Sequence, residues 1–260
     1  VELQVKKIAV CGKGGSGKST VVTLLANALR DRGYRILVVD SDESNPGLYR
    51  MLGFEHRPEP LLQLVGGKKK VFEAFSDSAQ AQPSILLQDQ IRTDELPSPY
   101  LAKADHISMV CIGKILQSLE GCACPMGVLS REFLTRLSPE EDELVLVDME
   151  AGVEHFGRGV ETSLDSVLIV TEPSFDSLEL AERIHALAAE VHMKPIWAIL
   201  NKVRSEEIAL ELTEQLQSRG VSVIGSIRYD AAVFRSGLQG RPIRGSKAQR
   251  DVAAILDRLL

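Results

Sequence analysis

Residues 12 to 19 read Gly-Lys-Gly-Gly-Ser-Gly-Lys-Ser, the G-x-x-x-x-G-K-S spacing of a loop that wraps a triphosphate. Gly12, Gly14, Gly15 and Gly17, with Ser16 among them, let successive backbone N–H groups curl around phosphate oxygens. Lys18 neutralises phosphate charge, the Ser19 hydroxyl is placed to hold magnesium, and Thr20 after it joins the nucleotide-binding residues. Lys13 is an addition that this spacing does not require. Two more stretches carry chemistry of this kind. Val38-Val39-Asp40-Ser41-Asp42 ends an apolar run in two carboxylates, and Leu144-Val145-Leu146-Val147-Asp148 ends a second run in one. Phosphoryl transfer needs a positioned water and a metal shell, and carboxylates at strand ends supply both. Asp40 and Asp42 have a second reading, as caps of a following helix.

The four cysteines divide into two kinds. Cys11 and Cys111 end apolar runs and read as buried small hydrophobes. Cys122 and Cys124 sit in Glu120-Gly121-Cys122-Ala123-Cys124-Pro125-Met126-Gly127, a polar, glycine-flanked stretch ahead of a helix. Pro125 suits the first helical position, which makes Cys124 the N-cap, where the helix dipole lowers a thiol pKa. A thiolate is the species that binds soft metals, yet two sulfurs are too few for a closed tetrahedral site.

The elements that must position these groups alternate regularly. Strands are expected at Val5 to Cys11, Arg35 to Asp40, Ile107 to Ile112, Leu144 to Asp148, Ser166 to Thr171, Pro195 to Asn201 and Val221 to Ile227. Helices are expected from Ser19 to Arg30 and near 126–137, 175–191, 205–219 and 246–260. Apolar strands alternating with amphipathic helices imply an α/β fold: a mostly parallel sheet covered on both faces, with ligands at the carboxyl ends of the strands. The 260 residues read as one domain, with an insertion over about 53–105 that carries short helices of its own.

Composition narrows the partners. A net charge of −6 argues against a nucleic-acid footprint, and Lys68 to Lys70 reads as a turn or helix start. No run approaches the roughly 18 apolar residues of a membrane span, and no signal-peptide pattern opens the sequence, so a cytoplasmic protein with no membrane partner is expected. In that compartment a close cysteine pair reads as metal-binding or redox rather than as a disulfide.

With Lys13, the loop resembles the K-G-G-x-G-K-[ST] "deviant Walker A" of a P-loop ATPase family in the SIMIBI class. That family includes the nitrogenase iron protein, arsenite ATPases, MinD and ParA partition ATPases and metallocentre-maturation ATPases. The resemblance implies an ATP- and Mg2+-dependent homodimer in which Lys13 reaches the partner's phosphates as a catalytic charge clamp beside Lys18. It also implies that Asp42 orients the attacking water and that Asp40 and Asp148 join Ser19 near the magnesium. Residues 148–159, rich in glycine, resemble the second switch, and His155 within it reads as a packing or interface residue. Asn201 and Lys202 stand where relatives place an adenine-reading pair, and Arg228-Tyr229-Asp230 where they carry a base pocket that often includes proline, a position at which this chain has Arg228. A turn-former after a strand is the other reading of Asn201.

The Gly121 to Met126 element and the 148–159 switch together look like the CooC type, the ATPases that help insert nickel into carbon monoxide dehydrogenase. By that likeness, Cys122 and Cys124 from two chains hold one metal ion, nickel or zinc, and the client is that dehydrogenase or acetyl-CoA synthase. An iron–sulfur-linked ATPase would need cysteines from two segments, and none follows Cys124. A MinD-like or ParA-like partition ATPase would need a basic amphipathic tail or a basic DNA surface. Here Lys247, Arg250 and Arg258 are offset by Asp251 and Asp257, and Ala248, Val252, Ile255, Leu256 and Leu259 read as core packing.

Overall fold

The computed structural model describes residues 5–42, 45–76, 89–113, 124–153, 159–193 and 195–260. In chain order the strands are β1 (Lys7–Gly12), β2 (Arg35–Asp40), β3 (Ala102–Ala104), β4 (Ile107–Cys111), β5 (Glu143–Asp148), β6 (Ser166–Thr171), β7 (Ile196–Val203) and β8 (Val223–Arg228). The helices are α1 (Lys18–Arg30), α2 (Leu48–Leu52), α3 (Leu61–Leu64), α4 (Gly67–Ser76), α5 (Cys124–Arg136), α6 (Phe175–Glu190), α7 (Glu206–Ser218), α8 (Ala231–Gln239) and α9 (Lys247–Leu259).

The strands form one sheet in the order β3-β4-β2-β5-β1-β6-β7-β8. Every pairing is parallel except the β3–β4 hairpin at the edge. β1 lies between β5 and β6, so the loop after β1 leaves the sheet beside the ends of both neighbours. Alternate residues of the central strands serve opposite faces, as a two-residue period requires. Ile8, Val10, Ile36, Val38, Leu144 and Leu146 pack with α1 and α9, while Ala9, Cys11, Leu37, Val39, Val145 and Val147 pack with α5, α6 and α7. Because both faces are covered, the strands read as unbroken apolar runs, which is why the sequence showed them.

Several expected boundaries shift by a residue or two, as helix and strand ends do. α5 starts at Cys124 itself, one residue before Pro125 was expected to open it. Proline fits there too, because the first-turn N–H groups have no partner within the helix. The Lys68–Lys70 run lies in the first turns of α4. Three elements are additional to those expected, α2, β3 and α8. Among the described residues no helix is long and apolar enough to cross a membrane. The five α9 residues expected in the core are buried there.

Candidate functional site: a phosphate loop, three carboxylates and an apolar cleft

The loop after β1 takes its shape from glycines no other residue would replace without strain. Gly12, Gly15 and Gly17 have φ of 139°, 81° and 97°, the left-handed side that side chains avoid. Gly17 is also crowded, since a Cβ there would lie 2.4 Å from Asn201 Nδ2. That amide donates to Ser16 O at 2.8 Å and ties the end of β7 to the loop. Gly17→Ala is therefore expected to lower stability by about 2 kcal/mol or more and to abolish nucleotide binding. A thermal melt with and without ATP checks it, and a wild-type nucleotide-induced shift in the melt would refute it.

Past Gly17 the chain enters α1 with no side-chain cap and no acidic residue in the first turn. The first N–H groups and the positive end of the helix dipole are thus left for an anion. By contrast, α7 opens on Ser205, whose hydroxyl accepts from Ile208 N, followed by Glu206 and Glu207. Lys18 is buried beside the loop.

Three carboxylates converge on the far side of Ser19. β2 and β5 pair in register with Asp40 opposite Asp148, so both strands deliver an acid to the same end of the sheet. Asp40, Asp42 and Asp148 are all buried. Ser19 Oγ donates to Asp148 Oδ2 at 2.5 Å and accepts from Asn45 Nδ2 at 2.5 Å. Burial first, then the neighbouring Asp40, push the Asp148 carboxyl up to about 7, against the opposing pull of Ser19 and Lys18. Its second oxygen, Oδ1, is buried with no hydrogen-bond partner. An orphaned carboxylate oxygen, a hydroxyl and mutually repelling acids are a donor set suited to a hard cation. Among the described residues no group of three or more His, Cys, Asp or Glu is assembled as a metal site. Magnesium sites in general use one or two carboxylates, with the nucleotide's own phosphates sharing the ion.

Lys13, the extra lysine, turns back to its own chain, with Nζ 3.1 Å from Asp176 Oδ2 at the start of α6. Lys202 has the left-handed φ of 58°, donates to Gly15 O and pairs with Glu172 Oε2 at 2.9 Å. Asn201 and Lys202 thus both grip the loop's backbone while they line a cleft of about 310 Å³. Thr20, Leu24, Ile227, Arg228, Tyr229 and Asp230 are among its other walls. α8 supplies Val233, Phe234 and Leu238, the last two 57 % and 75 % exposed, so the cleft is an apolar slot wide enough for a heterocycle. Two further polar residues expected to touch nucleotide are also engaged with protein. Arg228 forks onto Asp251, with the shortest contact at 2.6 Å. Asp230 accepts from Ala232 N at 2.7 Å and from Lys247 N at 2.6 Å, capping both α8 and α9. Burial opposes its ionisation, but these backbone donors hold Asp230 below the usual carboxylate range.

Cys11 and Cys111 are buried, and burial, against the pull of Lys18, pushes the Cys11 thiol up to about 12, so it stays protonated and inert. Cys122 and His155 lie outside the described residues, and Cys124 is placed only as the first residue of α5. The partners the sequence did not show are Asn45, Glu172, Asp176 and the α8 side chains. The available signal was position, because Glu172 and Asp176 follow directly on the buried strand β6.

A parallel sheet with a glycine loop at its centre, a magnesium-suited carboxylate set and a base-sized slot beside it defines a P-loop nucleotide-binding protein. Residues 7–243 match the CobQ/CobB/MinD/ParA nucleotide binding domain family, and the chain belongs to it. It is 37% identical to an uncharacterised ATP-binding protein of Methanocaldococcus jannaschii, over 96% of this chain and 99% of that one. It is 34% identical to the carbon monoxide dehydrogenase accessory protein CooC of Rhodospirillum rubrum, over 97% of each. Among solved structures it is similar in fold to the septum site-determining protein MinD of Pyrococcus horikoshii complexed with Mg-ADP. That match has a TM-score of 0.70 at 17% identity and covers 97% of this chain and 94% of that one.

Proposed function

We infer that this ATP-binding protein is a cytoplasmic, Mg2+-dependent ATPase that dimerises on ATP and carries nickel between paired Cys-x-Cys segments. Its client is carbon monoxide dehydrogenase or acetyl-CoA synthase. The observation that supports this most is Cys122-Ala123-Cys124 running directly into α5, in a chain that aligns along almost its whole length with CooC.

The chain's residues divide the work of hydrolysis. The loop N–H groups and Lys18 would hold the phosphates, and Ser19, Asp40 and Asp148 would hold Mg2+, which would supply positive charge against that building up on the phosphates. A bound cation would offset the burial and the Asp40 repulsion that push the Asp148 carboxyl up, and so would favour its ionised form. Asp42 orients the attacking water, and Lys13 of a second chain completes the charge clamp. The apolar slot takes the base, with Asn201, Lys202 and Tyr229 at its edge.

Metal carriage follows from symmetry. A two-fold dimer brings together two Cys-x-Cys segments and four sulfurs, a tetrahedral thiolate set. Thiolates favour nickel and zinc alike, so zinc is expected in protein isolated from zinc-rich medium, and supply selects nickel. Metal titration followed by plasma emission should give one ion per two chains, lost in Cys122→Ser or Cys124→Ser, with ATP hydrolysis retained in part. One tightly held ion per monomer would overturn the shared site. An iron–sulfur-linked ATPase would instead show visible cluster absorbance after anaerobic reconstitution. A partition ATPase, favoured by the 23% identity to MinD of Bacillus subtilis, would pellet with vesicles or DNA.

A further inference from the structure

Helix α5 has the second cysteine of the Cys-x-Cys segment as its first residue, and segments that surround the triphosphate hold it on two sides. On one side is the end of β2. Ser41 stands between Asp40 and Asp42, and its hydroxyl is 3.0 Å from the hydroxyl of Ser130 in α5. Ser130 is 0 % exposed and flanked in the core by Leu129 and Phe133. A buried serine inside a helix commonly turns its hydroxyl back to the carbonyl four residues earlier. Thr135, further along α5, does this to Arg131 O at 2.8 Å. Ser130 instead meets the hydroxyl between the two switch acids.

A second contact runs parallel to the first. Ile112 N donates to Asp40 O at 3.0 Å, which fixes the exit of β4 to the same aspartate. The next residue is Gly113, and a Cβ there would lie 2.4 Å from Met126 Sδ, so Met126 rests against bare backbone two residues from Cys124. On the other flank α5 packs along the end of the 148–159 segment. Arg131 lies over Gly159, where a Cβ would be 3.4 Å from its Cδ, and the Thr135 and Ser163 hydroxyls are 2.5 Å apart.

We propose that Ser130 is a positioning residue for the Asp40–Asp42 segment, and that the Ser41–Ser130 pair is the joint that passes triphosphate binding to α5 and so to the cysteine segment. The proposal rests on the reading that this segment holds the metal. Its physical content is a rigid helix whose position both sites bias through contacts that are either made or broken. When Asp40 and Asp42 close on the nucleotide, Ser41 moves with them. Ser130 moves α5 as a body, and the Gly113–Met126 contact sets the path of its first turn. A single hydroxyl pair limits the coupling to about five- to tenfold.

Hydrogen exchange of the full-length protein tests this at amides 126–136, with and without a magnesium complex of a non-hydrolysable ATP analogue. In the wild type the analogue is expected to change exchange there by about fivefold. Ser130→Ala should keep analogue affinity within about twofold, lose that response and lower kcat several-fold at unchanged KM. Ser41→Ala, which leaves the helix intact, should do the same, and the double variant should be no worse than either single one. A variant that only loosened the core would lower the melting temperature and leave the nucleotide response in place. A wild-type response in Ser130→Ala and Ser41→Ala, or no response in the wild type, overturns the joint. Metal titration of the same samples separates the two claims. A wild type that binds no metal yet shows the α5 response refutes the carrier and upholds the joint, and metal binding with the response unaltered in both variants does the reverse.

Discussion

Asp148→Asn is expected to cut ATP turnover about a hundredfold or more and yet to stabilise the nucleotide-free fold. Asp148 is fully buried at the end of β5, with Asp40 opposite it and one oxygen unpartnered. Burial, reinforced by Asp40, holds its carboxyl up to about 7, while an unfolded chain would titrate near 3.9. The fold therefore favours the protonated form. This group's contribution to stability is fully present below about pH 4 and is lost as pH rises through about 7, where the fold must keep a buried anion. Asparagine keeps the acceptor for Ser19 and removes the charge, at the cost of a buried amide. The balance is a gain of about 1–3 kcal/mol at pH 8 and a flatter stability profile between pH 5 and 8. Urea titrations in chelator across that range measure it, beside steady-state hydrolysis with Mg2+. A variant that is less stable than wild type at pH 8, or hydrolyses at its rate, would remove Asp148 from the magnesium shell. A bound divalent cation would supply the positive charge that makes its ionised form favourable.

How far the sequence disclosed this arrangement depended on where each side chain found its partners. β2 and β6 lie at their expected bounds, because in β6 the apolar run Val-Leu-Ile-Val, buried on both faces, is bracketed by Ser166 and Thr171, which mark its ends. β3 was invisible: Ala-Lys-Ala is too short to show a period, and its hairpin turns on Asp105 and His106 at φ 47° and 61° with no glycine to mark it. α8 was missed because of where its apolar face lies. Its apolar residues line a cleft and none is buried, so the usual core-facing stripe is absent. The phosphate loop and strand-end acids were legible because local backbone and sheet register alone place them. The Lys13–Asp176 and Ser41–Ser130 pairs were not, since they join segments 163 and 89 residues apart.

Lys13→Ala is expected to lower turnover about a thousandfold and to abolish ATP-dependent dimerisation while leaving ADP affinity nearly unchanged. Within one chain Lys13 rests on Asp176, but the pair is open to solvent, with side chains 34 % and 73 % exposed. Such a pair holds by no more than about 1 kcal/mol, so it parks the lysine without trapping it. A facing triphosphate, shielded from water by the second chain, is the stronger attractor. Sedimentation with a non-hydrolysable analogue should convert wild type to dimer and leave Lys13→Ala monomeric. The reach across the interface has a sharper test in mixing two inactive proteins. Asp42→Ala lacks the acid proposed to orient the water but keeps Lys13, and Lys13→Ala has the reverse defect. In a mixed dimer, the site of the Lys13→Ala chain would receive its lysine from the partner and carry an intact Asp42. Each mixed dimer keeps one of the two interface lysines and one working site, so activity well above that of either variant alone should return on mixing. If Lys13 acted on its own chain's nucleotide, no site in the mixture would be complete and the rate would stay at that of the inactive variants.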